Sequence, residues 1–422
     1  MKMIKSVRGF KDILPEETPA WGWLEAQARE ILVRYGFREI RVPILEKTEL
    51  FARSIGEATD IVEKEMYTFV DRNQERLTLR PEATAGIVRA FIEHGLHNRP
   101  KPIKLFTIGP MFRHERPQKG RLRQFHQIDV EVFGAQSPGT DAELVVMALD
   151  ILEAGGAQNL RLEINSLGCP DCRVPFREEL REFLLARKER LCEDCQRRAE
   201  RNPLRALDCK NEVCQAEYRE APELTNFLCE DCRAHYEAFK AYLSEAGVSY
   251  QVNPRLVRGL DYYTRTIFEI KAPGLGAQDT VAAGGRYDGL VSALGGPDTP
   301  AVGFAIGIER WLLVSELPAE LESPPELFIA PLGEEAARVT LRLARSLRAR
   351  GIRVEADYEG RRLKALLRQA DRLSARKVLI LGEDELQKKE ALLKDLETGT
   401  QEPLPFENLT DLVNRILIDL RF

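Results

Sequence analysis

The sequence predicts an α+β domain built on a mostly antiparallel sheet with flanking helices, which carries a cysteine-rich insertion and precedes a C-terminal α/β domain. Residues 104–133 read as two strands joined by a long basic loop, which is an antiparallel arrangement. All eight cysteines lie within residues 169–232, between the strand-like segments 160–165 and 250–253. From residue 327 onward, strand-like and helix-like segments alternate. These three observations together predict the fold class.

Composition sets the broad class. The chain has 422 residues, a length that suggests two or three domains, with 44% hydrophobic and 31% charged residues. Its net charge of −5 means that any binding of nucleic acid requires a local basic surface. No segment resembles a signal peptide or approaches the roughly 18 apolar residues of a membrane-spanning helix. We therefore expect a cytoplasmic protein without membrane contact.

In chain order, a helix is predicted over residues 20–35, because Gly36 can take the left-handed conformation that ends helices. A strand over 37–42 follows, and Pro43 ends it. The other elements predicted for this domain are a hairpin (67–70 and 77–79), a helix opening at 80–84 with Pro81 in its first turn, a helix capped by Thr140 or Asp141, strands over 266–271 and 281–283, and a strand-to-helix segment over 301–314.

The C-terminal part is predicted to be a small α/β domain with a largely parallel sheet. A linker, Ser323-Pro-Pro325, precedes it. Its predicted elements are strands over 327–332, 352–356 and 378–382 and helices over 334–350 and 361–374. The predicted domains are residues 1–322, interrupted by the insertion at 168–248, and residues 326–422.

The hairpin at 104–133 carries the clearest functional signal. Its second strand alternates, so that Ile128, Val130 and Val132 share one face and Gln127, Asp129 and Glu131 share the other. Its basic residues are Arg113, at the end of the first strand, and Arg116, Lys119, Arg121 and Arg123 in the loop. Guanidinium groups beside polar side chains suit a polyphosphate and a polar small molecule. The competing interpretation is an edge hairpin whose charges only face water.

The cysteines form four closely spaced pairs, which is typical of tetrahedral thiolate sites. The pairs are Cys169 with Cys172, Cys192 with Cys195, Cys209 with Cys214, and Cys229 with Cys232. Two four-cysteine zinc sites are the simplest assignment, and the spacing does not say which pair joins which. An iron–sulfur cluster and plain buried thiols are the alternatives. Structural disulfides are not expected in a reducing compartment.

Three further segments place arginine beside glycine and aromatic residues. They are 256–263 with Arg258, 282–289, and 301–310 with Arg310. Each alone is a weak signal, since glycine often serves close packing and arginine is usually solvated. Together with the hairpin and in this order, they resemble the signature motifs of class II aminoacyl-tRNA synthetases. Residues 258–263 and 282–289 resemble the two histidine-specific motifs of the histidyl-tRNA synthetase family.

The resemblance extends from Val7 to Arg310, and the C-terminal domain resembles the anticodon-binding domain of that family. Residues 36–43 resemble the first class II motif, which builds the dimer interface, the hairpin resembles the second, and 303–310 resembles the third. The resemblance implies a homodimer that activates histidine with ATP to histidyl-adenylate and pyrophosphate, then transfers histidine to the 3′ end of tRNA(His).

For ATP, the resemblance implies that Arg113 and Arg258 are catalytic and act at the α-phosphate. Glu115 accepts a hydrogen bond from the adenine amino group, Phe125 stacks on the base, and Arg310 binds the γ-phosphate. Arg121 belongs to the same site. Mg²⁺ bridges the phosphates, and the sequence does not identify its ligands.

For L-histidine, the resemblance implies that the α-ammonium group binds Glu82, Thr84 and Gln127. Glu131 accepts from one imidazole nitrogen, and a phenol of Tyr263 or Tyr287 serves the other. The remaining histidine-binding residues are Tyr262 and Arg258, which lies near the amino acid carboxylate. Asp129 lies on the same strand face without an assigned role.

For tRNA, the resemblance implies that Arg116, Gln118 and Arg123 contact the acceptor end. Basic residues of the C-terminal helices suit anticodon phosphates: Arg342, Arg345, Arg361, Arg362, Lys364 and Arg368. Because many members of the family lack the cysteines, the metal is expected to stabilise the insertion rather than to act in catalysis.

Three other functions compete. A regulatory paralogue in histidine biosynthesis would lose the ATP-site arginines and the C-terminal domain, both of which are present here. A synthetase for threonine, proline or glycine is disfavoured by residues 258–263 and Glu131. A zinc-dependent nucleic-acid-binding module would leave the other motifs unexplained.

Overall fold

The computed structural model describes residues 3–56, 59–276, 279–319, 321 and 324–420. The chain divides into two compact units, Met1–Ala319 and Glu320–Phe422. The predicted domain boundary at residue 322 and the linker residue Ser323 lie outside the described residues.

The first unit contains eleven α-helices and eleven strands within its described residues. The helices are α1 (Thr18–Arg34), α2 (Thr48–Ile55), α3 (Thr84–Glu93), α4 (Pro138–Ala154), α5 (Pro170–Leu185), α6 (Glu193–Arg201), α7 (Pro203–Ala206), α8 (Glu212–Glu217), α9 (Glu230–Glu245), α10 (Leu290–Ala293) and α11 (Ile308–Val314). The strands are β1 (Arg38–Glu39), β2 (Leu45–Lys47), β3 (Tyr67–Val70), β4 (Arg76–Leu79), β5 (Ile103–Phe112), β6 (Gln124–Phe133), β7 (Arg161–Ser166), β8 (Gln251–Val252), β9 (Thr264–Lys271), β10 (Thr280–Arg286) and β11 (Ala301–Gly307).

Eight of these strands form one sheet in the order β1-β5-β6-β11-β10-β9-β7-β8. All of its neighbouring pairs are antiparallel except β1 with β5 and β7 with β8. The predicted mostly antiparallel sheet with flanking helices is therefore confirmed. A separate three-stranded sheet, β2-β4-β3, contains the predicted hairpin.

The hairpin of β5 and β6 separates an apolar face from a polar one, as its alternation predicts. Ile128, Val130 and Val132 are fully buried in a core that includes residues of α1 and α4. On the opposite face, Glu131 accepts a hydrogen bond from Thr84 at the start of α3. One face of β6 thus packs into the apolar core, and the other carries the polar side chains Gln127, Asp129 and Glu131.

Helix α3 begins at Thr84, so the prediction of Pro81 in its first turn is wrong. The Arg80 guanidinium donates to the carbonyl oxygens of Pro110 and Val42. These bonds hold residues 80–83, which come before the helix, against the sheet in a non-helical path. Oε1 of Glu82 accepts from the Ala85 N–H at 3.0 Å and satisfies a donor at the helix start.

Helix α4 begins at Pro138, and Ser137 caps it by accepting from the Gly139 N–H. The prediction that Thr140 or Asp141 caps this helix is therefore wrong. Asp141 is 1% exposed and turns inward, where it pairs with the guanidinium of Arg286 and with His235 Nε2 at 2.9 Å. Burial opposes ionisation, but the bonds from His235 and Arg286 hold the pKa of Asp141 below its usual value.

The cysteine-rich segment is helical and connects β7 to β8 through α5 to α9. Phe176, Leu180 and Phe239 are buried in one continuous cluster with sheet residues such as Ile164 and Phe268. The segment therefore shares the apolar core of the large sheet.

The second unit has a five-stranded sheet. Its elements are β12 (Leu327–Leu332), α12 (Glu334–Arg348), β13 (Val354–Ala356), α13 (Leu363–Arg372), β14 (Lys377–Gly382), α14 (Glu383–Lys388), β15 (Glu390–Asp395), β16 (Gln401–Pro405) and α15 (Leu409–Leu420). Strands β13, β12 and β14 are parallel, as predicted, whereas β15 and β16 extend the sheet in antiparallel fashion. Within the described residues of the chain, no helix is long and apolar enough to span a membrane.

Replacing Asp141 by alanine leaves the Arg286 guanidinium, which is 0% exposed, without its buried counter-ion. We expect a loss of about 3–5 kcal/mol in the unfolding free energy of the first unit, measured by urea denaturation. The control is Glu30→Ala, which breaks an exposed pair with Arg34 and should cost below about 1 kcal/mol. Equal losses in the two variants would contradict a structural role for the buried pair.

Candidate active site

A cleft of about 320 Å³ lies over the large sheet where β6, β10 and β11 meet the loop that follows β5. Seven of the residues that the sequence predicts for ATP and histidine line it: Arg113, Glu115, Arg121, Phe125, Gln127, Arg258 and Arg310. These residues come from segments far apart in the sequence, and the fold brings them to one cavity.

The arginines of the cleft are held in place by the protein itself. Arg113 Nε donates to the Pro81 carbonyl oxygen at 2.8 Å, and its guanidinium lies 5.4 Å from the centroid of the Phe125 ring. Arg310 donates to the carbonyl oxygens of Gly120 (3.2 Å) and Thr280 (2.6 Å). Arg258 pairs with the Glu269 carboxylate at 2.5 Å. Guanidinium groups fixed in this way are preorganised for a polyphosphate.

Glu115 forms an ion pair with Arg121 at the mouth of the cleft. Burial and the charges of Arg310 and Arg113 lower the pKa of Arg121 to about 10, which still leaves it charged at neutral pH. The backbones of Gln118 and Arg121 bond to each other in both directions, so the loop doubles back toward the cleft.

The three residues predicted for the tRNA acceptor end lie in different surroundings. Arg116 and Gln118 are exposed on the loop. Arg123 is partly buried and donates to the carbonyl oxygens of Glu115 and Arg8, which ties the loop to the N-terminal segment. The surroundings of Arg123 suit a positioning role better than direct contact with tRNA.

Beyond the cleft along β6, buried and partly buried side chains surround the Glu131 carboxylate, which is 1% exposed, and we call this set of side chains the buried pocket. Its Oε1 accepts from Thr84 Oγ1 at 2.5 Å, and its Oε2 accepts from the Tyr287 hydroxyl. A Cβ at Gly303 would lie 1.8 Å from Oε2, so the neighbouring strand needs glycine at that position. Burial raises the pKa of Glu131 well above its usual value.

Three buried side-chain oxygen atoms, two on the polar face of β6 and one on Glu82, have no hydrogen-bond partner within the described part of the chain. They are Glu82 Oε2, Gln127 Oε1 and Asp129 Oδ2. Burial raises the pKa of Glu82. Burial also raises the pKa of Asp129 to about 8; Glu82 adds to the shift and Arg80 opposes it. A buried acceptor without a donor lowers the stability of the folded protein. A ligand that brings several N–H donors would pair with these atoms and remove that penalty.

Three tyrosines close the buried pocket. The ring centroid of Tyr262 lies 4.8 Å from that of Tyr263 and 5.6 Å from that of Tyr287. Burial raises the pKa of all three phenols, so they are neutral and can donate hydrogen bonds at physiological pH.

Several residues of the cleft were missed at the level of sequence: Asp208, Lys210, Glu269, Lys271, Asp279 and Thr280. Glu269 had a detectable signal, since it is the single charged residue within the apolar segment 267–270 of a predicted strand. Asp208 and Lys210 had none, because only the fold brings the cysteine-rich segment to the cleft.

The structure answers which cysteine pairs come together. One group is Cys169, Cys172, Cys229 and Cys232, and the other is Cys192, Cys195, Cys209 and Cys214, with the sulfur atoms of each within 4.8 Å of one another. The Cys192 and Cys209 sulfurs are 3.8 Å apart, too far for a disulfide and close to the roughly 3.8 Å edge of a zinc–thiolate tetrahedron.

Backbone N–H groups donate to these sulfurs, which orients them. The N–H of Cys192 donates to the sulfur of Cys214 at 3.2 Å, and that of Cys229 donates to the sulfur of Cys172 at 3.1 Å. Both groups therefore have the ligand set and the supporting hydrogen bonds of tetrahedral metal sites.

Comparison with known proteins agrees with this geometry. Residues 9–311 match the histidyl-tRNA synthetase family, and residues 326–416 match the anticodon binding domain. The chain belongs to the histidyl-tRNA synthetase family.

Individual relatives agree over nearly the whole length. The chain is 51% identical to the histidine–tRNA ligase of Desulfatibacillum aliphaticivorans, with 98% of this chain and 99% of that protein covered. It is 52% identical to that of Geobacter metallireducens, with 94% and 96% covered. The crystal structure of apo histidyl-tRNA synthetase from S. aureus has a TM-score of 0.82 and 39% identity, covering 98% of this chain and 99% of that one.

The raised pKa of Asp129 predicts a pH dependence of stability. Between the unfolded value of 3.8 and the folded value of about 8, the folded state keeps a proton that the unfolded state has lost. The stability that this proton provides is therefore lost as the pH rises toward 8. We expect the unfolding free energy of the wild type to fall relative to Asp129→Asn between pH 5 and pH 8, measured by urea denaturation. Parallel curves for the two proteins would contradict the raised pKa.

Proposed function

We propose that the cleft and the buried pocket are the ATP and histidine subsites of one active site. As a member of its family, the chain is a histidine–tRNA ligase: it activates histidine with ATP and transfers it to tRNA. The residue roles below are our proposals, and one observation carries them. A group of buried acceptors without donors lies directly beside a cleft lined with fixed arginines.

The acceptors fit the α-ammonium group of the amino acid. An ammonium has three N–H donors and no acceptor. Glu82 Oε2 and Gln127 Oε1 are buried and lack donors among the described residues, so they can accept two of the three. Thr84 donates its hydroxyl hydrogen to Glu131, which leaves its oxygen able to accept the third N–H of the ammonium.

Glu131 is proposed to recognise the imidazole ring of histidine by accepting a hydrogen bond from it. In the ionised form of Glu131 each oxygen accepts one hydrogen bond and can accept another, so an imidazole N–H can join Thr84 and Tyr287 there and favours that ionised form. Tyr263 is proposed to serve the second ring nitrogen, and Tyr262 to pack beside it. An amino acid that leaves these buried groups unpaired is rejected, which explains specificity without an editing site.

Arg113 and Arg258 are proposed as the catalytic residues of activation. A histidine carboxylate oxygen attacks the α-phosphorus of ATP, a P–O bond forms to it, and the bond to pyrophosphate breaks. Two anions must approach, and negative charge builds up on the phosphoryl oxygens. Fixed guanidinium groups on either side of the cleft stabilise that charge. Arg310 is proposed to hold the γ-phosphate.

Phe125 and Glu115 are proposed to bind adenine. The Phe125 ring lies next to the Arg113 guanidinium and lines the cleft, so a base stacked on it lies close to the phosphate-binding arginine. Glu115 pairs with Arg121, and its second oxygen can accept from the adenine amino group. Mg²⁺, when bound with ATP, neutralises phosphate charge, and the cleft carboxylates Glu269 and Asp279 are the candidates to hold it.

For tRNA, we propose that the exposed Arg116 and Gln118 contact the acceptor end and that the second unit binds the anticodon. Positive residues on α12 and α13 can bind its phosphates despite the acidic total charge. We also propose a homodimer that works in the cytoplasm, where tRNA serves translation. Support for the dimer comes from exposed apolar side chains directly after the first motif, Ile44 (42% exposed) and Leu45 (39%), and on β3 of the three-stranded sheet, Phe69 (46%) and Val70 (55%).

The role of Arg258 is tested by Arg258→Ala. We expect histidine-dependent ATP–pyrophosphate exchange to fall by about 10²–10³-fold, since a fixed charge at the reacting phosphate is lost. The matched control is Arg255→Ala, an exposed arginine of the same segment, which should keep near-normal exchange. Circular dichroism checks that both variants are folded. Near-normal exchange in Arg258→Ala would remove Arg258 from the catalytic residues.

The cysteine groups are proposed to bind one structural zinc ion each. We expect metal analysis of the purified protein to find about two zinc ions per chain. Cys195→Ser and Cys232→Ser, from different groups, should each lose one of them, and a chelator should lower the thermal midpoint. Finding neither zinc nor iron would contradict the proposal, and finding iron would identify a cluster instead.

The dimer is tested by Phe69→Glu, which places a charge in the proposed interface. The wild type should sediment at twice the chain mass of 47.9 kDa, and the variant should shift toward the monomer at micromolar concentration. Val174→Glu, at a side chain that is 64% exposed on α5, is the control and should stay dimeric. A monomeric wild type would contradict the proposal.

A further inference from the structure

The loop between α7 and α8 reaches the ATP cleft from the cysteine-rich segment. Asp208 and Lys210 line the same cleft as Arg113, Arg258 and Arg310. Cys209, between them, belongs instead to the group of Cys192, Cys195, Cys209 and Cys214. Of three consecutive residues, the first and the third therefore line the cleft, and the second belongs to the sulfur cluster.

The sulfur cluster and its surroundings fix this loop. The Cys209 sulfur lies 3.8 Å from that of Cys192 and accepts from the Asn211 N–H at 3.4 Å. The Cys209 carbonyl oxygen accepts from the Gln215 side chain, and Asn211 Oδ1 accepts from the Val213 N–H at 2.9 Å, which caps α8. The path of the backbone on both sides of Lys210 thus depends on the cluster.

The Lys210 ammonium is more exposed and less firmly held than three other cations of the cleft, Arg258, Lys271 and Arg310. Arg258 is held by Glu269, Lys271 by Glu163, and Arg310 by two carbonyl oxygens. Lys210 pairs with Asp208 at 3.1 Å, and its side chain is 62% exposed. A flexible ammonium at the edge of a cleft can turn from a single exposed carboxylate to a more highly charged anion.

We propose that Lys210 binds the polyphosphate of ATP and that the cluster containing Cys209 sets its position. This inference rests on the proposed function of the cleft. Asp208 holds the ammonium in the absence of nucleotide, and the terminal phosphates replace that carboxylate when ATP binds. The cysteine-rich segment therefore contributes a nucleotide-binding residue to the active site as well as stabilising the fold.

The proposal makes nucleotide affinity depend on the cluster, whereas histidine affinity does not. Most of the proposed histidine residues lie at the start of α3, on β6 and in the tyrosine-containing segments, outside the lining of the cleft that Lys210 shares; Gln127 and Arg258 are the exceptions. Loss of Lys210 or of the cluster should weaken ATP binding selectively.

The test measures binding of a non-hydrolysable ATP analogue to the full chain by calorimetry, together with both KM values in ATP–pyrophosphate exchange. For Lys210→Met we expect the analogue Kd to rise about tenfold, the effect of losing one charge-assisted hydrogen bond. The KM for histidine should change less than about twofold, and Lys210→Arg should restore most of the affinity. The control is Lys188→Met, a lysine of the same segment that pairs with Glu200 away from the cleft.

An analogue Kd for Lys210→Met within twofold of the wild type would overturn the proposal. Absence of histidine-dependent exchange in the wild type would instead refute the proposed function, and calorimetry would still report on Lys210. Cys214→Ser tests the link to the cluster: it should lose one metal ion and weaken analogue binding as Lys210→Met does. Cys172→Ser, in the other group, should leave the analogue Kd unchanged. Unchanged binding in Cys214→Ser would overturn the dependence on the cluster.

Discussion

A buried carboxylate on the central strand β6 is the constraint on which the proposed active site depends. Glu131 lies inside the fold because Thr84 and Tyr287 each donate to one of its oxygens and because Gly303 leaves room for it. A buried carboxylate without such donors would cost several kcal/mol. With them, the protein keeps an acceptor in a water-excluded pocket, where hydrogen bonds discriminate strongly between ligands.

The same strand links this pocket to the cleft lined with arginines. Gln127, Asp129 and Glu131 alternate with the apolar residues Ile128 and Val130, so packing of the core fixes the register of the polar face. Gln127 lines the cleft and Glu131 lies in the buried pocket. In the proposed function, one strand therefore sets the separation of the two substrates, which favours direct attack of a carboxylate on phosphorus.

The polar face of β6 could be predicted from the sequence because side chains in a strand alternate between only two faces. The sequence also allows the arginines of the cleft to be predicted, because they stand in recognisable motifs. The roles of Asp141 and Arg286 could not be foreseen. A carboxylate near a helix start usually caps it, and only the tertiary fold shows that Asp141 turns inward to a buried guanidinium.

Contacts between residues far apart in the sequence explain the other features that the sequence did not predict. The spacing of the cysteines gives four pairs, but the grouping of Cys169 with Cys232 and of Cys192 with Cys214 depends on how five helices fold back on one another. For the same reason Lys210 carries no signal in the sequence. It lines the cleft, while its neighbour Cys209 belongs to the sulfur cluster, and only the tertiary fold shows this arrangement.

The central claim is that Glu131 and its partners select histidine. The most direct measurement is ATP–pyrophosphate exchange by the wild type and by Glu131→Gln, with each of the common amino acids in turn. We expect exchange with histidine alone in the wild type. In Glu131→Gln, exchange with histidine should fall by about 10²-fold or more, with no other amino acid gaining activity. Comparable wild-type exchange with another amino acid, or an unchanged rate with histidine in the variant, would contradict it.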